Sequence, residues 1–198
     1  MTISRDGLFN FLRKLIAKIS NQKIYNPEIP EGHKGALLVT NHISRLDTVF
    51  LMLSTKRKDV IALTASNYRT MLFFGTILRK MGVIWLNRGE SDFKAIREAT
   101  DYLEKGWIVG LAPEGRRSRS GKLMKAKPGA VLIAMKTGVP VIPVGLVGTA
   151  DMDKAIKEWR KMDVTINFGE AFYLPEREEN EHNRDYVERA LDEVMCRI

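Results

Sequence analysis

The segment Thr40-Asn41-His42-Ile43-Ser44-Arg45-Leu46-Asp47 sets a histidine and an aspartate five residues apart, directly after the apolar run Leu37-Leu38-Val39. On a regular helix that spacing places the two side chains about 140° apart, so a shared site requires a turn between a strand and a helix. In such a turn a carboxylate on one ring nitrogen sets the tautomer, and the other nitrogen can take a proton from a hydroxyl nucleophile. The same residues also suit a structural turn, with the histidine on backbone and the aspartate capping the next helix. A second concentration of chemistry runs from Leu111 to Lys122. It is not a nucleotide-phosphate loop: five residues instead of four separate Gly115 from Gly121, and Leu123 stands where Ser or Thr would ligate magnesium. Here Glu114 can orient a neighbouring arginine or a substrate hydroxyl, Gly115 lets backbone approach an anion, and Arg116, Arg117 and Arg119 offer planar donors to phosphate. A solvated basic loop has the same composition. Arg88, after the apolar run Val83 to Leu86, reads on its own as a surface charge. No G-x-S-x-G or G-x-G-x-x-G pattern occurs and Cys196 lies near the end of the last helical pattern, so a covalent serine or cysteine mechanism has little support.

These residues follow short apolar runs of strand length: Ala36 to Thr40, Val60 to Thr64, Val83 to Leu86, Ile108 to Ala112 and Val141 to Val147. Helical patterns lie between them, at Thr48 to Ser54, Met71 to Met81, Ser91 to Lys105 and Ala130 to Thr137. The alternation implies a single α/β domain with a largely parallel central sheet flanked by helices, in which sites gather beyond the carboxyl ends of strands. Asp163 to Phe168 adds a strand and Asn183 to Ile198 a closing helix, while Pro140 and Pro143 suggest an edge strand or a bend beside a cleft. Ahead of these, Leu8, Phe9, Phe11, Leu12, Leu15, Ile16 and Ile19 recur at helical spacing around Arg13, Lys14 and Lys18. This basic amphipathic helix either packs on its own domain or lies in a lipid interface. Residues 1–35 thus read as helix and Pro-containing connector, and 36–198 as the α/β domain.

At 198 residues, with 44% apolar and 28% charged residues, the chain is long enough for one core and is not disordered, collagenous or mucin-like. A single cysteine excludes an intrachain disulfide and three histidines give no zinc-finger spacing, so a reducing compartment and no structural metal are expected. The longest uncharged run, Thr137 to Ala150, is 14 residues with two prolines, too short to span a bilayer, and the first residues lack a secretory pattern. A cytoplasmic location is the expectation. Net charge is +8, but residues 1–127 carry 23 Lys and Arg against 11 Asp and Glu, and residues 128–198 carry 9 against 13. The basic part attracts anions: nucleic acid, phosphate-bearing metabolites, an acidic carrier protein or anionic lipid.

Taken in order, the segments resemble the glycerolipid acyltransferase family that includes 1-acylglycerol-3-phosphate (lysophosphatidate) acyltransferase. Asn41, His42, Ser44 and Asp47 match its N-H-x-S-x-x-D motif, and Arg88 the arginine ending its second motif. Pro113, Glu114, Gly115, Arg117 and Ser118 match F-P-E-G-T-R-S, Val139-Pro140 and Pro143 the fourth motif, and Phe73-Phe74-Gly75 the segment ahead of the second. The likeness covers about residues 36 to 150. Asn87, Ala112 and Arg116 replace the usual aspartate, phenylalanine and threonine, and Ala65-Ser66 stand where members often carry two lysines.

The resemblance implies a glycerol-phosphate acyltransferase-like fold and direct transfer. His42, oriented by Asp47, would deprotonate the acceptor hydroxyl as it attacks the thioester of acyl-coenzyme A or acyl carrier protein, without an acyl-enzyme. Asn41, Ser44, Arg88, Glu114, Gly115, Arg116, Arg117 and Ser118 would bind the acceptor, a lysophospholipid such as 1-acylglycerol-3-phosphate, giving phosphatidic acid. No bound cofactor, metal or nucleic acid is implied, and the enzyme would sit peripherally on the anionic inner face of the cell membrane. Open alternatives are another lysolipid or glycerol phosphate acceptor, a thioesterase with water as acceptor, and a non-catalytic module binding anionic lipid or nucleic acid.

Overall fold

The computed structural model describes residues 4–87 and 92–198. The strands are β1 (Ser20–Tyr25), β2 (Ala36–Thr40), β3 (Val60–Ala65), β4 (Val83–Leu86), β5 (Ile108–Leu111), β6 (Val141–Val147) and β7 (Met162–Phe168). They form one seven-stranded sheet in the order β1-β7-β6-β2-β5-β3-β4. Every neighbouring pair is parallel except β6 with β7, so the largely parallel α/β expectation is met. The helices are α1 (Arg5–Ile19), α2 (Asp47–Ser54), α3 (Phe74–Met81), α4 (Phe93–Glu104), α5 (Gly129–Thr137), α6 (Met152–Lys157) and α7 (Asn183–Cys196).

The sheet is covered on both faces, which is why its central strands are continuous apolar runs rather than alternating ones. On β2, Ala36 and Leu38 join the core beneath α1, α2 and α3, where Phe9, Phe50 and Leu78 lie. Leu37 and Val39 join the opposite core under α4, α5 and α7, with Leu103, Val131 and Ala190. Gly110 on β5 lets α2 approach closely, since a Cβ there would meet Leu51 Cδ2 at 2.7 Å. Among the described residues no helix is long and apolar enough to cross a membrane.

Two open alternatives are decided and one expectation changes. The apolar face of α1 turns inward: Leu8, Phe9, Leu12 and Ile16 are buried in the domain's own core, leaving Phe11 and Leu15 exposed. Ser4 caps this helix by accepting from the Gly7 N–H at 3.1 Å. Arg5 fixes its approach by donating to the carbonyls of Met81 (2.7 Å), Lys58 and Val60. Secondly, residues 20–25, read as part of a helix and connector, form β1 at the sheet edge, paired in parallel register with β7. Ser-Asn-Gln-Lys-Ile-Tyr has no apolar run because an edge strand buries little; its partner's backbone recruits it. Thirdly, β6 is interior, not an edge. Pro143 is tolerated because the ladder to β7 is interrupted there, between the Val141–Phe172 bridge and the pairing that starts at Val144–Phe168.

Candidate active site

The polypeptide leaves β2 at Thr40 and turns through residues 41–46 into α2, whose first residue is Asp47. The turn is organised around that carboxylate, which is only 1% exposed. Its Oδ2 accepts from the backbone N–H groups of Ile43 and Ser44, both at 2.7 Å, and lies 2.9 Å from His42 Nδ1. Its Oδ1 accepts from the Thr149 hydroxyl at 2.6 Å. A buried carboxylate is tolerable only with such a complement of donors. With Oδ2 as acceptor, the ring proton sits on Nδ1 and the lone pair of Nε2 is left for an incoming hydroxyl. Sequence reasoning missed Thr149; the available signal was Gly148 after β6, where φ is +92° and a Cβ would lie 1.9 Å from the Asp163 carbonyl oxygen.

The loop after β5 grips the same histidine by its backbone. Glu114 Oε1 accepts from the His42 N–H at 2.8 Å, and the Ser118 N–H donates to the His42 carbonyl at 2.7 Å. The second oxygen of Glu114 accepts from the Met124 N–H at 2.9 Å, and the Ser118 hydroxyl donates to the Lys122 carbonyl at 2.7 Å. Asn41 forms a two-way pair with β6, donating to the Leu146 carbonyl and accepting from its N–H, each at 2.8 Å. The Ser44 hydroxyl accepts from the Leu46 N–H at 3.2 Å. Asn41, Ser44, Glu114 and Ser118, read from sequence as substrate contacts, therefore direct these polar groups at the main chain. Irregular loops packed this deeply must find partners for their amides, and these side chains supply them.

Two concavities adjoin at Arg45, and the histidine lines the first of them. A cavity of about 300 Å³ is lined by His42, Arg45, Asp47, Thr48 and Gly115 and by Leu51, Ala62, Gly110, Leu111 and Ile133. The second, about 800 Å³, is lined by Arg45, Arg116, Arg117, Arg119, Ser118 and Ser120 with Ile43, Ser44, Met124 and Ala150. Arg45 lines both. Gly115 adopts φ +66°, its α-carbon turned to the Lys127 side chain. Asp92, also on the apolar cavity, accepts from the N–H groups of Asn87 (2.8 Å) and Ala95 (3.1 Å), which hold its carboxyl below the usual aspartate range. Arg88 lies outside the described residues.

A family model described as Acyltransferase matches residues 19–147. A chloroplastic 1-acyl-sn-glycerol-3-phosphate acyltransferase of Brassica napus is 34% identical over 153 residues, covering 73% of this chain and 44% of that protein. The enzyme of the same name from Borreliella burgdorferi is 32% identical over 117 residues, 58% of this chain and 46% of that protein. The chain thus spans less than half the length of either relative. In fold it is similar to the crystal structure of the 1-acyl-sn-glycerophosphate acyltransferase PlsC from Thermotoga maritima, with a TM-score of 0.66 and 23% identity, covering 96% of this chain and 77% of that one.

Proposed function

Because this chain belongs to the acyltransferase family, we propose that it moves a fatty acyl group from a thioester donor to a hydroxyl of a lysophospholipid, 1-acylglycerol-3-phosphate foremost, giving phosphatidic acid. The donor is acyl-coenzyme A or acyl carrier protein, and the work is done peripherally at the anionic inner face of the cell membrane. One observation carries the reading: the His42–Asp47 pair lines an apolar cavity that shares Arg45 with an arginine-lined concavity, the two environments an amphiphilic phosphate ester needs. His42 Nε2 removes the acceptor's hydroxyl proton while that oxygen adds to the thioester carbonyl. Collapse of the tetrahedral intermediate breaks the carbon–sulfur bond, and the imidazolium returns the proton to the departing thiolate. Asp47 keeps the ring oriented, held in turn by Thr149 and two amides. Arg45, Arg116 and Arg117 receive the phosphate, and the acyl chain lies along Leu51, Gly110 and Ile133. Holding both reactants in register supplies much of the rate.

The test is His42→Ala, assayed for acyl transfer with and without lysolipid. Transfer falls by about 10²- to 10⁴-fold in a protein that still unfolds cooperatively, the range expected for loss of a general base. Asp47→Asn is similar or milder. Near-normal transfer by folded His42→Ala overturns the mechanism, and thioester consumption that ignores added lysolipid points to a thioesterase.

A further inference from the structure

Single exposed apolar residues are ordinary, but three in succession are not. Leu72 and Phe73 are 80% and 81% exposed beside exposed Met71, and Phe93, the first residue of α4, is 72% exposed. These residues lie on the connections that leave β3 and β4, neighbouring strands, and so stand at the carboxyl edge of the sheet, as His42 does. Tyr68, in the turn just before Met71, and Asp92, next to Phe93, line the apolar cavity. The exposure is built in. The Gly75 and Ile77 N–H groups donate to the Met71 and Phe73 carbonyls at 2.9 and 3.0 Å, and the Thr76 hydroxyl to the Leu72 carbonyl at 2.6 Å. Gly75 packs so tightly under the preceding turn that a Cβ would lie 2.4 Å from the Tyr68 carbonyl oxygen. The main chain is thereby fixed with these side chains pointing outward.

Charge identifies the occupant. Residues 60–86 contain no aspartate or glutamate, and Arg69, Arg79 and Lys80 around the apolar tip are all exposed. An apolar wedge ringed by cations is the pattern that enters an anionic lipid surface. We infer that Met71, Leu72, Phe73 and Phe93 insert into anionic lipid while Arg69, Arg79 and Lys80 meet its headgroups, so that the cavity opens directly onto the bilayer. The inference deepens the proposed function by naming the docking surface in place of α1, whose apolar face is buried.

The experiment is co-sedimentation of the full chain with vesicles of phosphatidylglycerol and phosphatidylcholine, and with phosphatidylcholine alone, thermal unfolding serving as the folding control. Leu72→Ser/Phe73→Ser weakens binding to the anionic vesicles at least tenfold, Phe93→Ser weakens it less, and Arg79→Gln/Lys80→Gln removes most of the preference for anionic lipid. Phe11→Ser/Leu15→Ser on α1 binds as the parent does. Vesicle binding needs no turnover, so His42→Ala also binds normally, and a failure of the acyltransfer reading stays distinct from a failure of this one. Unchanged binding by folded Leu72→Ser/Phe73→Ser, or loss of binding with the α1 variant instead, overturns the inference. So does a parent that ignores vesicles and sediments as a dimer that Leu72→Ser/Phe73→Ser dissociates.

Discussion

Glu114 and Arg117 stand three residues apart in one loop and act on different things. Both oxygens of Glu114 accept main-chain N–H groups, one of them from His42 itself, whereas Arg117 is exposed on the basic concavity. Glu114→Gln turns an NH2 donor against one of those buried amides, and an unsatisfied buried donor costs about 1 to 3 kcal/mol. The variant is expected to melt lower and to lose turnover equally on lysophosphatidate and on neutral monoacylglycerol. Arg117→Ala is expected to leave the melting temperature unchanged and to lose kcat/KM for the phosphate-bearing acceptor alone, by about 1.5 to 3 kcal/mol. Competition between the two acceptors reads out the difference directly. The sequence singled out this loop for both residues. It did not say that the carboxylate faces inward, because a glutamate suits a substrate hydroxyl and a backbone amide equally well, and only the packing of two loops around His42 decides between them.

At the scale of elements, the His42–Asp47 pair depends on a connection far from it in sequence. Thr149 reaches Asp47 because Gly148 turns the chain out of β6 with φ +92°, pressed against the Asp163 carbonyl of β7. Gly148→Ala would place a methyl group 1.9 Å from that oxygen in a conformation L residues avoid. It is expected to cost about 3 kcal/mol or more and to reduce transfer beyond what the lost stability explains, as Thr149 leaves Asp47. Urea unfolding paired with single-turnover rates separates the two effects. Strands β2 to β6 were legible because each is an apolar run that must be covered, and β7 because Met162, Val164, Ile166 and Phe168 alternate with polar residues. Polar β1 was not, since what places it is the free edge of β7. Pro143 misled because its missing N–H suggested an edge, when the interruption in the β6–β7 ladder makes room for it inside the sheet.

For the whole molecule, the amphipathic pattern of α1 was plain in the sequence while its partner was not, because a helix stripe of this kind fits lipid or core alike. The core has it. A chain beginning at Asn26 loses Leu8, Phe9, Leu12 and Ile16, each contributing about 1.5 to 3 kcal/mol by burial, from a total stability on the order of 5 to 15 kcal/mol. It is expected to show no cooperative thermal transition by circular dichroism; a truncated chain melting like the parent would return α1 to the role of accessory anchor. The pairing of β1 with β7 also imposes an order in time. Asn21 and Asp163, hydrogen-bonded across these strands, are 142 residues apart in the chain. At roughly 5 to 20 residues per second of synthesis, β1 emerges from the ribosome on the order of ten seconds before the strand it pairs with. The edge pair therefore cannot form until the last strand has been made, whatever order the rest of the sheet folds in.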